Sequence, residues 1–416
     1  MTALPQIPGN SQVIEPFRQR LSDRVEAEAY VASVCFKHGP PRLTGVELEW
    51  IVHHEDDPRR PLDADRLTAA LGPYAPRTLN KDSPQLPLPA GSPLTLEPGG
   101  QVEISALPQP TLTELFGAVT ADLTFLSELL ASAGLVLGDT ATDQHRTPRR
   151  LLDTPRYAAM EQVFEPIGPH GITMMCATAG LQVCVDAGES DTLPARWAAV
   201  HALGPVLVAA FANSPTLEGR ATGWASARMR AVLGTDPPRS SPSAIVADPV
   251  ADWARRVLDT PVLCVRGDSD RPGDRWATPE GMSFADWLAG ARPDKPTTDD
   301  LDYHISTMFP PVRPHGYLEV RYLDAQRGDG WVIPVALLAA LLSTPRTVDA
   351  VLDACEPVGD RWLPAARDGL ADRALATAAA AVLDLGARAL PGMGLGHDLT
   401  EAILAGLDRL PQRSTS

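Results

Sequence analysis

The stretch Leu96-Glu-Pro-Gly-Gly-Gln-Val-Glu-Ile-Ser105 crowds two acids, Glu97 and Glu103, around a Pro98-Gly99-Gly100 turn inside an apolar alternation. If residues 101–105 are extended, successive side chains alternate between faces: Gln101, Glu103 and Ser105 point one way, Val102 and Ile104 into a core. Pro98 fixes φ and the glycines open backbone angles closed to other residues, so the segment turns sharply and lets another group approach its backbone. Alone, the stretch fits either a solvated hairpin with polar outer positions or a pair of acids that something must neutralise.

Two further segments repeat the pattern. Residues 43–53 alternate, with Val46, Leu48, Trp50 and Val52 on one face and Glu47, Glu49, Ile51 and His53 on the other. Glu47 and Glu49 then stand about 6.5 Å apart by strand rise, where two carboxylates repel by roughly 2.5 kcal/mol at an effective dielectric near 20. A buried pair needs a cation to offset that. Residues 316–324 form a third alternation, which sets Glu319 and Arg321 on a common face with Tyr317 and Leu323. A cage of carboxylate oxygens without thiolate or paired histidines selects a hard cation, Mg2+ or Mn2+, over zinc. One acid pair is readily a solvated strand face; three such strands in one chain favour the cation site.

Bulk properties agree with a folded enzyme. The 416 residues can bury a large core, and 44% hydrophobic with 21% charged content argues against long disorder. A net charge of -16 and a pI near 5.0 speak against nucleic acid or an anionic membrane as partner. Lys37, Lys81 and Lys295 are the only lysines, so recognition of phosphate or carboxylate falls to arginine, with its planar bidentate fork. The five cysteines are oddly and widely spaced, which fits reduced cytosolic thiols better than a disulfide framework or a zinc site. Residues 1–19 lack the pattern of a signal peptide. The longest apolar run, residues 197–211, is broken by Gly204-Pro205 and falls short of the roughly 20 residues of a membrane span, so it reads as a buried helix.

Residues 13–36 supply one helix or two, 192–212 contain the buried helix and 218–233 include a further helix with Arg228 and Arg230. The rest reads as helices at 64–71, 111–134, 154–165 and 282–289, strands at 172–186 and 261–266 and a loop at 237–249. Residues 332–410 are rich in Ala and Leu and form a helical layer. Strands separated by helices of uneven length argue an α+β fold, its sheet antiparallel or mixed and its helices on one face. Residues 1–330 are expected to form the catalytic sheet-and-helix core, and residues 331–416 a helical C-terminal layer of the same globular unit. There is no P-loop and no Ser framed as G-x-S-x-G; the Gly392, Gly394, Gly396 run follows a helix and reads as a turn. His53-His54-Glu55 reads as a strand end, and Cys184, on the polar face of its strand, as a buried thiol.

Taken in order, Gly45-Val-Glu-Leu-Glu49, the Leu96–Ser105 stretch, Pro155-Arg-Tyr157, Met174-Met175 with Leu181-Gln-Val183, Phe211-Ala-Asn-Ser-Pro-Thr-Leu-Glu-Gly219, Met282-Ser-Phe-Ala-Asp-Trp-Leu288 and Tyr317-Leu-Glu-Val-Arg321 resemble the successive signatures of glutamate-cysteine ligases of the plant and bacterial type. The arginine-rich, lysine-poor usage looks like the actinobacterial, ergothioneine-pathway branch of that family. The resemblance implies a curved antiparallel sheet of the glutamine-synthetase-like carboxylate-amine ligase type, with helices on its outer face and ATP, Mg2+ and glutamate on its concave face. It implies phosphorylation of the γ-carboxylate of glutamate, after which the amine of cysteine displaces phosphate.

On matching positions the resemblance implies Glu47, Glu49, Glu97, Glu103, Gln182 and Glu319 as metal ligands. Arg321 and Arg313 would face the transferring phosphate, and Arg228 the α-carboxylate of glutamate, with Gln101, Met175 and Tyr317 as further substrate contacts. Such an enzyme is expected in the cytoplasm, as a monomer or weak dimer acting on small molecules. The chain departs from the plant pattern at Cys184, where those enzymes carry Asn, and at Val232, where they carry Trp; no plant redox switch can be matched onto its cysteines. Ligation of glutamate to another amine, a guanidino-kinase-like phosphotransfer and non-catalytic glutamate binding remain the competing readings.

Overall fold

The computed structural model describes residues 19–267 and 273–410. The expectations for residues 1–18, including the start of the 13–36 helix, lie outside that range; the helix within it is Arg24–Cys35, capped by Asp23. Six strands form the central sheet: β1 (Thr44–Trp50), β2 (Leu94–Leu96), β3 (Val102–Gln109), β4 (Gly180–Val185), β5 (Val312–Pro314) and β6 (Leu318–Asp324). Their order is β2-β3-β1-β4-β6-β5, open at both ends, and every pairing is antiparallel. This is the expected α+β class.

The alternation in sequence becomes a two-sided sheet. Val46, Leu48, Val102, Ile104, Leu181, Val183, Leu318 and Val320 all join the main apolar core, whereas Glu47, Glu49, Glu103, Gln182 and Glu319 stand at the intervening positions on the opposite face. Helices cover the apolar side. Leu112–Ser132 packs on β3, and Leu193–Ala210 packs on β6, where the Tyr322 hydroxyl donates to Val200 O at 3.1 Å. The helices Pro345–Cys355, Trp362–Asp368 and Arg373–Ala389 then enclose Leu193–Ala210, and the same core cluster runs from Leu21 to Leu410.

Several expectations need correction. Residues 172–186 are not one strand: His170–Cys176 is a helix, and β4 begins only at Gly180. An apolar run this short does not distinguish the two states. The helix wins because it can press against Phe164, whose Cβ would lie 2.3 Å from any Cβ added at Gly171. Residues 261–266 make only the single bridges Pro261↔Ser283 and Val265↔Ala277. The 282–289 helix shrinks to Phe284–Asp286, held by a Ser283–Asp286 capping box, and runs into a π-turn over Trp287–Ala291. The helix expected within residues 218–233, with Arg228 and Arg230, is found as Ala227–Thr235, preceded by a small hairpin of Thr216–Leu217 and Arg220–Ala221. Pro237–Ser240 adds a helical turn to the loop expected there.

Leu323 is also misplaced by simple alternation. A bulge lies between Val320 and Leu323, so Leu323 pairs with Leu181 and returns to the core face, away from Glu319. Three helices among the described residues, Leu112–Ser132, Leu193–Ala210 and Arg373–Met393, are long and apolar enough to cross a membrane. Leu193–Ala210 is therefore longer than its apolar run implied, and 89% of it is buried inside the fold.

That burial leaves no spare volume at Gly204, where an added Cβ would sit 1.9 Å from the Trp362 ring. Gly204→Ala is expected to lower stability by about 1–3 kcal/mol through overpacking, read as an earlier urea midpoint with an unchanged slope.

Candidate active site

Register assembles the polar face. Glu103 on β3 lies directly opposite Glu49 on β1; Glu47 lies between Ser105 and Gln182; Cys184 on β4 lies opposite Glu319 on β6. Glu97 arrives from the Pro98-Gly99-Gly100 turn, which Glu97 and Gln101 close by a backbone hydrogen bond of 2.9 Å. Two groups result. Ligand atoms of Glu49, Glu97 and Glu103 all lie within 4.8 Å of one another, and so do those of Glu47, Cys184 and Glu319. The solvated-hairpin reading of the opening stretch therefore fails.

The turn is held from behind. A Cβ at Gly99 would fall 2.2 Å from Cys176 O, and Gly100 adopts a φ of 90° that favours glycine. Leu151 N and Leu152 N donate to Pro98 O at 2.7 and 3.0 Å. Gln101 donates its side-chain amide to Met175 O and Thr178 O at 3.2 and 2.8 Å. Gln101, an expected substrate contact, thus braces the turn through its amide nitrogen, while its Oε1 has no hydrogen-bond partner among the described residues. Met175, the other expected contact on this side, packs its side chain with Met160, Phe164 and Cys176 in a second apolar cluster and gives its carbonyl to Gln101.

Charge is unevenly neutralised. Burial, then the charges of Arg313 and Arg321 acting against it, decide Glu319: the arginines win and hold it down to about 2. Arg313 donates to both its oxygens, at 2.7 and 3.1 Å, and Arg321 to one at 3.0 Å. The other acids lack such partners. Burial, with Glu103 and Glu319 adding to it, raises Glu47 to about 8. Burial and Glu49 raise Glu103 too, against hydrogen bonds donated by Thr95 and Ser105, and burial with Glu49 and Glu103 puts Glu97 well above the usual carboxylate range. Among the described residues the carboxylates of Glu47 and Glu97 accept no hydrogen bond. Buried acids in that condition fit a divalent cation, which would take the proton's place.

A polar chain joins the two groups. Arg321 donates to Gln182 Oε1, and Gln182 Nε2 donates to Glu49 at 2.9 Å, where the Gly180 N–H adds a second bond of 2.7 Å. Arg228 lies at the edge of this network. Its guanidinium packs against Gly180, donates to Arg321 O at 2.8 Å and stands 3.8 Å from Asp324. Asp324 was not singled out by sequence. Buried, it accepts from Asn213 N, Ser214 Oγ and Ser226 Oγ, so part of the Phe211–Gly219 signature acts as a clamp behind Arg228.

Two cavities lie near the site, and of these the smaller is lined by one of its acids. A small one of about 170 Å³ is lined by Gly45, Glu47, Cys184 and Tyr317. A larger one of about 530 Å³ is walled by Arg77, Lys81, Arg156, Tyr157, Trp276 and Tyr303, and its Tyr157 phenol is raised by burial and by Glu97. Arg77, Lys81, Trp276 and Tyr303 come from segments that carry no acid alternation, so no pattern marked them.

The model of glutamate-cysteine ligase family 2 matches residues 43–410. The chain belongs to that family. Among curated members of the glutamate-cysteine ligases, the chain is 38% identical over 378 residues to "Glutamate--cysteine ligase EgtA" of Mycobacterium tuberculosis (strain ATCC 25618 / H37Rv), covering 89% of this chain and 84% of that one. It is 29% identical to the chloroplastic glutamate-cysteine ligase of Arabidopsis thaliana, covering 84% and 68%. The fold is similar to the crystal structure of Francisella tularensis glutamate-cysteine ligase in complex with AMP, with a TM-score of 0.51 at 12% identity over 91% of this chain and 83% of that one. A ligase of this family thus carries its acids on one face of an open antiparallel sheet.

The shifted acids predict a pH signature. Without metal, Glu47 titrates near 8 when folded and near 4.5 when unfolded. The folded state then binds more protons, and stability falls as pH rises across that window. Glu319 acts oppositely, losing its stabilisation only as pH falls from 4.5 towards 2. Added Mg2+ is therefore expected to raise the thermal midpoint of metal-free protein more at pH 8 than at pH 6; equal or reversed shifts would contradict the assignment.

Proposed function

We propose that this ligase joins the γ-carboxylate of L-glutamate to the amine of L-cysteine at the expense of ATP, giving γ-glutamylcysteine, ADP and phosphate, for ergothioneine biosynthesis in the cytoplasm. The observation that carries the reading is the pair of three-ligand groups on one sheet face, flanked by Arg313 and Arg321, in a chain of the glutamate-cysteine ligase family. The open sheet is read as a curved, glutamine-synthetase-like platform, working as a monomer or weak dimer. Residues 331–410 are read as a helical layer of the same unit; residues 411–416 of the expected layer lie outside the described residues.

Glu49, Glu97 and Glu103 form one holding point for Mg2+, and Glu47 with Glu319 another, with Gln182 between them. Bound there, the ions would screen phosphate oxygens and stabilise the charge that develops on them in transfer. The chain's own groups do the positioning. Arg321, restrained by Glu319 and Gln182, presents its guanidinium beside the acids, where charge accumulates on the transferring phosphoryl group. Arg313 supports it from the edge strand. Arg228 is preset by Arg321 O and by the Asp324 clamp to pair with the α-carboxylate of glutamate. Tyr317, beside Glu47 and Cys184, lines the nearer cavity. The Arg156–Tyr157 cavity gives a second substrate room beside Tyr157, whose phenol feels the charge of Glu97.

With ATP and Mg2+, phosphate release is expected only when glutamate and cysteine are both present; release indifferent to cysteine would defeat the reading, and release with a different amine would redirect it. Glu103→Gln should abolish metal-dependent turnover while leaving the unfolding transition in place. Arg228→Ala should raise the KM for glutamate by about 10–100-fold, the loss of a charge-assisted pair, with a smaller change in kcat.

A further inference from the structure

We propose that Cys184 supplies a sulfur ligand to the cation held by Glu47 and Glu319, so that this half of the site takes up thiophilic divalent cations such as Cd2+ in competition with Mg2+. The inference rests on reading the acids as metal ligands, and goes beyond it by making the two halves chemically unequal. Glu49, Glu97 and Glu103 offer only oxygen, the donor set of a hard cation. The Cys184 sulfur lies within 4.8 Å of carboxylate oxygens of both Glu47 and Glu319. Thiolate softens that second donor set, which favours cadmium and zinc over magnesium.

Three features make the thiol available to an ion. Cys184 is half-buried, whereas Cys35, Cys176, Cys264 and Cys355 are all buried. Its neighbour across the strand pair is Gly45, which has no side chain to cover it, and the cavity of about 170 Å³ opens at that point, with Glu47 as a further wall. The Glu47 carboxylate accepts no hydrogen bond among the described residues, so a ligand atom beside the sulfur is uncommitted. Charge favours a cation there: two carboxylates and one thiolate carry three negative charges against the two positive charges of Arg313 and Arg321, a net negative charge that attracts a dication. On binding, the S–H bond breaks heterolytically, its proton leaves to buffer, and the sulfur lone pair forms the bond to metal. No oxidant or reductant is involved.

The test is titration of metal-free full-length protein with Cd2+, followed by ultraviolet sulfur-to-cadmium charge-transfer absorption, with Mg2+ binding followed by calorimetry on the same preparation. One equivalent of Cd2+ should generate the band, excess Mg2+ should diminish it, Cys184→Ser should lose it, and Cys355→Ser should keep it. A cadmium-113 resonance of the native protein, shifted from the oxygen-only range by one sulfur, reads the same ligand without any variant. A band that survives in Cys184→Ser, or an oxygen-only resonance, would overturn the proposal. Mg2+ binding without a Cd2+ band would sink this inference and leave the ligase reading standing; no divalent binding at all would sink both.

Discussion

Mutual repulsion among five buried or half-buried carboxylates on one sheet face is the constraint on which the rest of this structure depends. Glu47, Glu49, Glu97, Glu103 and Glu319 are crowded where solvent cannot screen them, and only Glu319 is fully matched, by Arg313 and Arg321. The others hold protons or hydrogen bonds in place of a cation. Such a face is unfavourable by itself and has to be imposed by what lies behind it.

What lies behind it is the apolar face of the same strands. Leu48, Val102, Ile104, Val183 and Val320 are fully or nearly buried under helices, and the Leu193–Ala210 helix is itself enclosed by the C-terminal layer. Because strand side chains alternate, burying one face fixes the register, and the register forces the acids together on the other. The Pro98-Gly99-Gly100 turn, pinned from Leu151, Leu152 and Gln101, adds Glu97 to an array that the strands alone would leave one ligand short. Core stability thus holds ready a site that metal and substrates would complete.

The two halves of that site are not equivalent. One has an oxygen-only donor set, in which, among the described residues, Glu49 and Glu103 accept hydrogen bonds and Glu97 does not; the other mixes a thiol with one unpartnered acid and one arginine-bound acid. Gln182 and Arg321 bridge them, so a change in charge at one half is felt at the other through a single chain of hydrogen bonds.

The sequence by itself determined the alternation, and with it the α+β class, the apolar face, and the acids Glu47, Glu49, Glu103 and Glu319 that must share the opposite face. It also identified the family through short ordered motifs. Those are local properties, because strand period and turn chemistry depend on neighbouring residues. Only the tertiary structure decided that residues 172–186 split into helix and strand, that a bulge returns Leu323 to the core, that Gln101 and Met175 serve as frame, and that Asp324 clamps Arg228. It also brought Cys184 into a cluster that sequence read as free of thiolate. Each of these is settled by contacts between segments far apart in the chain, in which packing against Phe164, Cys176 or Gly180 outweighs any local preference.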